Sequence, residues 1–360
     1  MLITIGITLY NKSGLLDGLE PLNEVSRKCR DIELLVVDDC STDSSYLEAR
    51  DVLPLCTRYI RHKENSGVSA ARNTIITNAT GIYLSFIDAD DTIDAKELIR
   101  LIEEIRKEVS EKAHDIIISP YKVTNKGKDR DSSKSRKQAI KKYPNSQEVL
   151  ETIENYLLRP NRDLNLVRCL GKFFNLGILR KHCIKFDTSL KNFEDVDFLA
   201  KVLRVGARIW STEIVFYMHQ MAELGTSETC NKSRSLVSHA GYIKSTSSML
   251  VTREVLQKKT QLSSSLTAET LNAQAIGAYT CISIVQGCVR INGIKSLFAY
   301  SREVKELICI PAIKKAMKKY SHREAGGSWL LASTIRSGNG ISTACYGYMK
   351  YNRRYGKREL

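Results

Sequence analysis

Short apolar runs alternate with longer amphipathic stretches through the first 220 residues. Leu2 to Thr8 and Ile32 to Val37 are nearly continuous runs rich in β-branched residues. That is the pattern of strands buried on both faces of a parallel sheet. Arg58 to Arg61, Ile82 to Ile87 and Asp115 to Ser119 predict further strands, and Arg208 to Met218 a later one. Helical periods lie between them: Lys12 to Cys29, a stretch after the turn Ser41–Ser45 reaching about Leu53, Ser66 to Asn78, and Ala95 to about Ser110. Gln147 to Leu158 and Asn192 to Val205 predict later helices, whereas Phe173 to Phe186 fits neither period cleanly. Strands alternating with helices predict βαβ units with right-handed crossovers. The expected fold class is α/β, a doubly wound and mostly parallel sheet. After about Thr226 the chain changes to helices rich in Ser, Thr and Lys, so the expected domains are residues 1–225 and a helical basic extension over 226–360.

Charge sharpens this division. The net charge of +15 on 360 residues is local. Tyr121 to Lys142 holds nine Lys/Arg against two Asp, and Pro311 to Leu360 holds eleven against two Glu. Asn125 to Lys141 is nearly free of apolar residues and predicts a surface loop. No stretch of about 18 apolar residues occurs, so no spanning helix is expected. Met1 leads straight into a strand pattern without a basic n-region, so no secretory leader is expected either. The ten cysteines stand singly, without metal-binding spacing, which suits reduced thiols in a cytoplasmic protein.

Candidate chemistry concentrates where the strands end. Leu84 to Ile87 runs directly into Asp88, Asp90 and Asp91. Carboxylates this close repel one another unless a cation sits among them, and hard divalent ions bridge carboxylates to phosphates. The plainer reading is a helix N-terminus, where Asp is favoured. Ligands of open parallel sheets sit beyond the carboxyl ends of strands, so Thr8, Tyr10, Asp38, Asp39 and Asp88 to Asp91 would share one crevice. Tyr10 can stack on a base, and Asp39 can accept a hydrogen bond from a base N–H. As turn residues, Asp39, Ser41 and Asp43 need no ligand at all. Asn65-Ser-Gly-Val-Ser-Ala-Ala-Arg-Asn73 is a small-residue loop opening a helix, able to offer N–H groups to an anion, with Arg72 one turn in. It carries neither a dinucleotide glycine motif nor a P-loop lysine.

Five segments together resemble the family-2 glycosyltransferases of the GT-A fold. They are Ile7-Thr-Leu-Tyr-Asn11, Val36 to Ser45, Asn65 to Asn73, Phe86-Ile-Asp-Ala-Asp-Asp91 and Asn192-Phe-Glu-Asp-Val-Asp-Phe198, in family order over roughly residues 2 to 220. The resemblance implies that Thr8, Tyr10, Asp39, Arg72 and Asp88 hold the nucleotide of a sugar donor. It implies that Asp88 and Asp90 are the Asp-x-Asp pair for Mn²⁺ or Mg²⁺, with Asp90 the direct ligand. It also makes Asp195 the general base, with Glu194 supporting it; without the resemblance, Glu194, Asp195 and Asp197 simply suit a helix start. His219 stands where related sequences carry a basic residue after an aromatic pair. That implies contact with the diphosphate or metal, and a structural role stays open.

The expected activity is metal-dependent, inverting transfer of a sugar from a nucleoside-diphosphate sugar to a saccharide or lipid-linked saccharide hydroxyl. UDP is the commonest nucleotide in the family, and bacterial capsule or O-antigen-like polysaccharide the expected setting. The other readings are a nucleotidyltransferase and a non-catalytic nucleotide-sugar-binding or membrane-surface protein. In the extension, Ile313, Ala316, Met317 and Tyr320 share one helix face beside Lys314, Lys315, Lys318 and Lys319. That pattern suits an interfacial helix on the anionic inner face of the cell membrane, or else a solvated basic tail with a small core. Nucleic acid is not an expected partner.

Overall fold

The computed structural model describes residues 1–111, 114–125, 146–160, 167–205, 208–221, 236–261, 264–323 and 328–355. Most of the basic loop expected over Asn125 to Lys141 lies outside the described residues. The chain forms two compact units: Met1–Glu148 with Val167–Glu223, and Val149–Leu166 with Leu224–Leu360.

The first unit is built on a seven-stranded sheet in the order β3-β2-β1-β4-β8-β6-β9. Its strands are β1 (Ile3–Leu9), β2 (Ile32–Asp38), β3 (Arg58–Arg61), β4 (Tyr83–Asp88), β6 (Ile116–Ile118), β8 (Lys172–Asn175) and β9 (Ile209–Ser211). All neighbours are parallel except β8, which runs antiparallel to both β4 and β6. The buried runs of β1, β2 and β4 are apolar on both faces, as a central parallel sheet requires. A short second sheet orders β5 (Thr92–Ile93), β10 (Tyr217–Met221) and β7 (Tyr121–Asn125). The single strand expected over Arg208 to Met218 is thus two strands in two sheets.

Helices α1 (Leu22–Lys28), α2 (Ser45–Val52), α3 (Val68–Asn78) and α4 (Ala95–Glu111) connect these strands. The continuous helix expected from Lys12 to Cys29 is broken. A 3₁₀ turn covers Leu16–Leu19, and Pro21 caps α1, since proline is tolerated only at a helix start. Helix α3 lies so close on β1 that a Cβ on Gly6 would stand 2.4 Å from the Ile75 side chain. The chain winds outward from β1 through β2 to β3, then returns to place β4 on the other side of β1. That reversal is a topological switch point, where open sheets bind ligands. After α5 (Ser146–Leu158), β8 leads into α6 (Leu176–Lys181), and α7 (Glu194–Arg204) follows.

The second unit is helical: part of α5, then α8 (Leu236–Thr260), α9 (Ala268–Gly287), α10 (Ile294–Cys309), α11 (Pro311–Lys319), α12 (Trp329–Arg336) and α13 (Gly340–Tyr355). Its core includes Ile276, Ile284, Val304, Ile308, Ile313, Met317, Tyr320, Leu331 and Ala344. This corrects the interfacial-helix expectation for α11. Ile313, Ala316, Met317 and Tyr320 do share a face, but all four are buried in this core, whereas the four lysines are exposed. Burying that face removes it from water once, and it cannot also insert into lipid. Among the described residues no helix is long and apolar enough to cross a membrane.

Candidate active site

Strands β1 and β4 end side by side, with Thr8 in register with Asp88. The Thr8 hydroxyl donates to Asp88 Oδ1 at 3.2 Å, so the switch point opens on a carboxylate. Asp88 is also reached by Arg72 Nη2 at 3.1 Å. Burial works against the charged form of Asp88, yet the Arg72 guanidinium, with His219 and Lys12 nearby, holds this carboxyl below the usual range.

Arg72 is the hub of the site. It lies on α3, which opens at Gly67 with φ of +88°, a conformation that glycine adopts without strain. The side chain is 4% exposed. Its Nη1 donates to Asp195 Oδ1 at 2.6 Å and to Glu194 Oε1 at 3.3 Å. The guanidinium also lies 5.3 Å from the Phe186 ring centroid and 6.0 Å from that of Phe86, within cation–π range. One buried cation therefore ties the end of β4 to the start of α7.

The start of α7 is held in an unusual backbone. Phe193 caps it with φ of +65°, left-handed for a non-glycine residue, which costs energy and is typical of functional sites. Glu194 and Asp195 occupy the first turn behind it. The second oxygen of Asp195 accepts from the Cys169 N–H at 3.0 Å. Burial and the neighbouring Asp195 charge push Glu194 up to about 7, against the pull of Arg72. Two adjacent carboxyls thus share one arginine.

The remaining candidates are placed as follows. Tyr10 is 41% exposed at the end of β1. Asp39 is buried, and its oxygens accept from the Ser66 and Gly67 N–H groups at 3.0 and 2.6 Å, with His62 Nδ1 at 2.7 Å. It therefore fastens the loop that opens α3, and any base N–H would share an oxygen already in use. Asp90 is paired with Lys12 Nζ at 2.5 Å, its side chain 31% exposed. Arg72, expected at the nucleotide, is paired with three carboxylates.

His219, expected at the diphosphate or metal, lies beside Asp91. Its Nδ1 sits 3.1 Å from Asp91 Oδ1, and among the described residues no group of three His, Cys, Asp or Glu could hold a metal ion. Asp91 is buried and also accepts from the Tyr217 hydroxyl at 2.5 Å and the Gln220 N–H at 2.8 Å. The same Tyr217 oxygen accepts from the Asp88 N–H at 3.2 Å. Asp91 therefore staples β10 to the Asp88–Asp91 turn. Sequence reasoning missed this use of Asp91 and Tyr217, and it missed Lys12. A lysine three residues beyond a strand end carries no pattern of its own.

Known proteins share parts of this chain. Residues 4–170 match the model of the family described as glycosyl transferase family 2. Over 124 residues the chain is 34% identical to glycosyltransferase GlyG of Streptococcus pneumoniae, covering 33% of this chain and 39% of that one. Over 180 residues it is 28% identical to the poly(ribitol-phosphate) beta-N-acetylglucosaminyltransferase TarP of Staphylococcus aureus, covering 49% of each chain. Matches to the first three curated relatives span 16%, 30% and 39% of those proteins. The crystal structure of S. aureus TarS 1–349 in complex with UDP-GlcNAc superposes with a TM-score of 0.61 at 17% identity. It covers 98% of this chain and 92% of that one, a likeness of fold. Thr8, Tyr10, Asp39, Arg72, Asp88 and Asp90 lie inside the matched range, and Glu194, Asp195 and His219 beyond it. Residues 4–170 thus carry a family-2 glycosyltransferase domain, and the mostly parallel sheet with its C-terminal helices is similar in fold to the TarS structures.

Proposed function

We propose that this enzyme moves a sugar from a UDP-sugar to a saccharide hydroxyl, with inversion, during assembly of a bacterial cell-surface polysaccharide. The observation that carries the reading is the Arg72 bridge. It joins Asp88, at the donor end of the sheet, to Glu194 and Asp195. A solved neighbour of the same fold was crystallised with UDP-GlcNAc, and relatives named for teichoic acid and poly(ribitol-phosphate) transfer support the polymer setting.

In this reading Tyr10, exposed at the crevice, stacks on the base, while Thr8, Asp39 and Asp88 shape the nucleotide site. Asp195 accepts the proton of the attacking hydroxyl. Its orientation is fixed from two sides, by Arg72 Nη1 and by the Cys169 N–H. A positioned base contributes about 10²- to 10⁴-fold in rate. Glu194 keeps a proton near neutrality, which limits the charge packed around Arg72. One base on the acceptor side, and no second nucleophile proposed, make the displacement in-line and inverting.

The donor set fits a hard divalent ion. Asp88 and Asp90 are two carboxylates at a strand end, each side chain 31% exposed. Mg²⁺-like ions use one or two carboxylates plus substrate phosphates and water. When bound, Mn²⁺ or Mg²⁺ would act as a Lewis acid for the leaving diphosphate, held chiefly by Asp90. UDP release from a panel of UDP-sugars, with Mn²⁺ and with chelator, tests the proposal. Release from one donor, lost with chelator and in Asp90→Asn, is the expected result; undiminished release in Asp90→Asn would refute the metal site.

A peripheral contact with the anionic inner face of the cell membrane is a further part of the proposal. Its support is now narrower: the exposed Lys314, Lys315, Lys318 and Lys319, with Trp329 and Leu330 also exposed. Each basic residue near such a surface contributes on the order of 1 kcal/mol.

A further inference from the structure

Lys12 is aimed at Asp90 by a loop fastened along its length. The Asn11 N–H donates to Ser41 Oγ at 3.0 Å, and Asn11 Oδ1 accepts from the Thr42 N–H at 2.8 Å. The Lys12 N–H donates to Ser45 Oγ at 2.6 Å, the Ser13 N–H to Asp43 Oδ2 at 3.1 Å, and the Gly14 N–H to Glu48 Oε2 at 2.7 Å. Asn11 itself is held at φ of +47°, an uncommon conformation outside glycine. Five bonds and one strained residue fix the backbone that carries one ammonium.

The contact so built is poor value as a fold-stabilising pair. Lys12 and Asp90 side chains are 35% and 31% exposed, and ion pairs this open to solvent add little stability. The charge is more useful to a ligand. Two carboxylates at the end of β4 would repel a diphosphate. Arg72 cannot offset that, being buried and already shared among three carboxylates. Lys12 is a partly exposed cation beside the same strand end, and a lysine is a compact point charge on a flexible stem that can be re-aimed.

We infer that Lys12 is a diphosphate-binding residue that exchanges partners. Without donor its ammonium neutralises Asp90 Oδ2. When a divalent ion takes that oxygen, Lys12 turns to the donor diphosphate and shares its charge. The inference rests on the metal-dependent donor site proposed above. It has a signature that ordinary phosphate binding lacks, because Lys12 opposes metal binding alone and favours nucleotide binding once metal is present.

Calorimetric titration of wild type, Lys12→Gln and Lys12→Arg with Mn²⁺ alone, then with UDP at saturating Mn²⁺, tests it. Lys12→Gln should bind Mn²⁺ several-fold more tightly than wild type and UDP about tenfold more weakly, the scale of one lost charged hydrogen bond. Lys12→Arg, which keeps the charge, should stay near wild type in both. Matching thermal unfolding of the three proteins would show that the loop still folds. If wild type binds Mn²⁺ and UDP but Lys12→Gln matches it in either titration, the exchange is overturned and the donor site stands. If wild type binds neither, the donor site falls and the exchange with it.

Discussion

Two buried arginines, one in each unit, differ in a way that separates a site from a staple. Arg253, on α8, donates to Glu154 Oε1 at 2.5 Å and to the Leu266 carbonyl at 2.7 Å. Glu154 in turn accepts from Ser264 Oγ at 3.1 Å. One cation meets one carboxylate, and the cluster joins three segments of the helical unit. Arg72 meets Asp88, Glu194 and Asp195 together, so the cluster holds more carboxylates than cations. Folding alone would not collect that excess, because each unbalanced buried carboxylate costs energy unless it is protonated or paired. Burial and the Asp195 charge accordingly raise the proton affinity of Glu194. Surplus carboxylate around a single buried arginine sets the Arg72 cluster apart from the evenly paired Arg253 cluster, as the proposed catalytic role would require.

The largest test acts on chemistry alone. Asp195→Asn should lower transfer by about 10²- to 10⁴-fold while leaving UDP affinity near wild type. Loss of nucleotide binding instead would make Asp195 structural, like Glu154. The next compares the two clusters by stability. Arg253→Met leaves the half-buried Glu154 without its cation, with only Ser264 Oγ donating to it, and should cost up to about 3–5 kcal/mol in denaturant unfolding. Adding Glu154→Leu should recover most of that loss and keep activity. The matching pair Arg72→Met with Asp195→Leu should recover stability without activity, and recovery of both would erase the distinction.

A smaller effect is expected in pH dependence. Glu194 holds its proton more tightly folded than unfolded, so the folded state binds more protons between the ordinary glutamate range and about pH 7. Stability should therefore fall as pH rises through that window. Glu194→Gln should flatten this slope, as measured by urea unfolding at several pH values; an unchanged slope would count against the buried, paired environment. The smallest effect concerns α11. Glu in place of Lys314, Lys315, Lys318 and Lys319 should leave thermal unfolding nearly unchanged, since these lysines lie outside the core. The same change should weaken pelleting with anionic liposomes at low salt, and equal pelleting would remove the membrane contact.

Much of the first unit was legible because its strands are short and its information local. The β-branched runs of β1, β2 and β4 and the small-residue opening of α3 fall where the patterns placed them. The helix through Pro21 was over-extended, since apolar spacing continued across a residue that ends one segment and starts the next. Arg208 to Met218 was read as one strand because a change of sheet leaves no mark on an alternating pattern. The face of α11 shows the same limit in the second unit. Amphipathic spacing says that a face will be buried, not whether protein or lipid will bury it.

The sequence by itself determined the α/β alternation, the acidic end of β4 and the family motifs around it, all of which rest on neighbours within a few residues. The tertiary structure decided which charges meet. Arg72 reaches Asp195 across 123 positions, Lys12 reaches Asp90 across 78, and Tyr217 reaches Asp91 across 126. The reason is physical: side-chain period reports how a segment is buried, whereas the pairing of distant polar groups depends on crossovers that bring distant strand ends to one place.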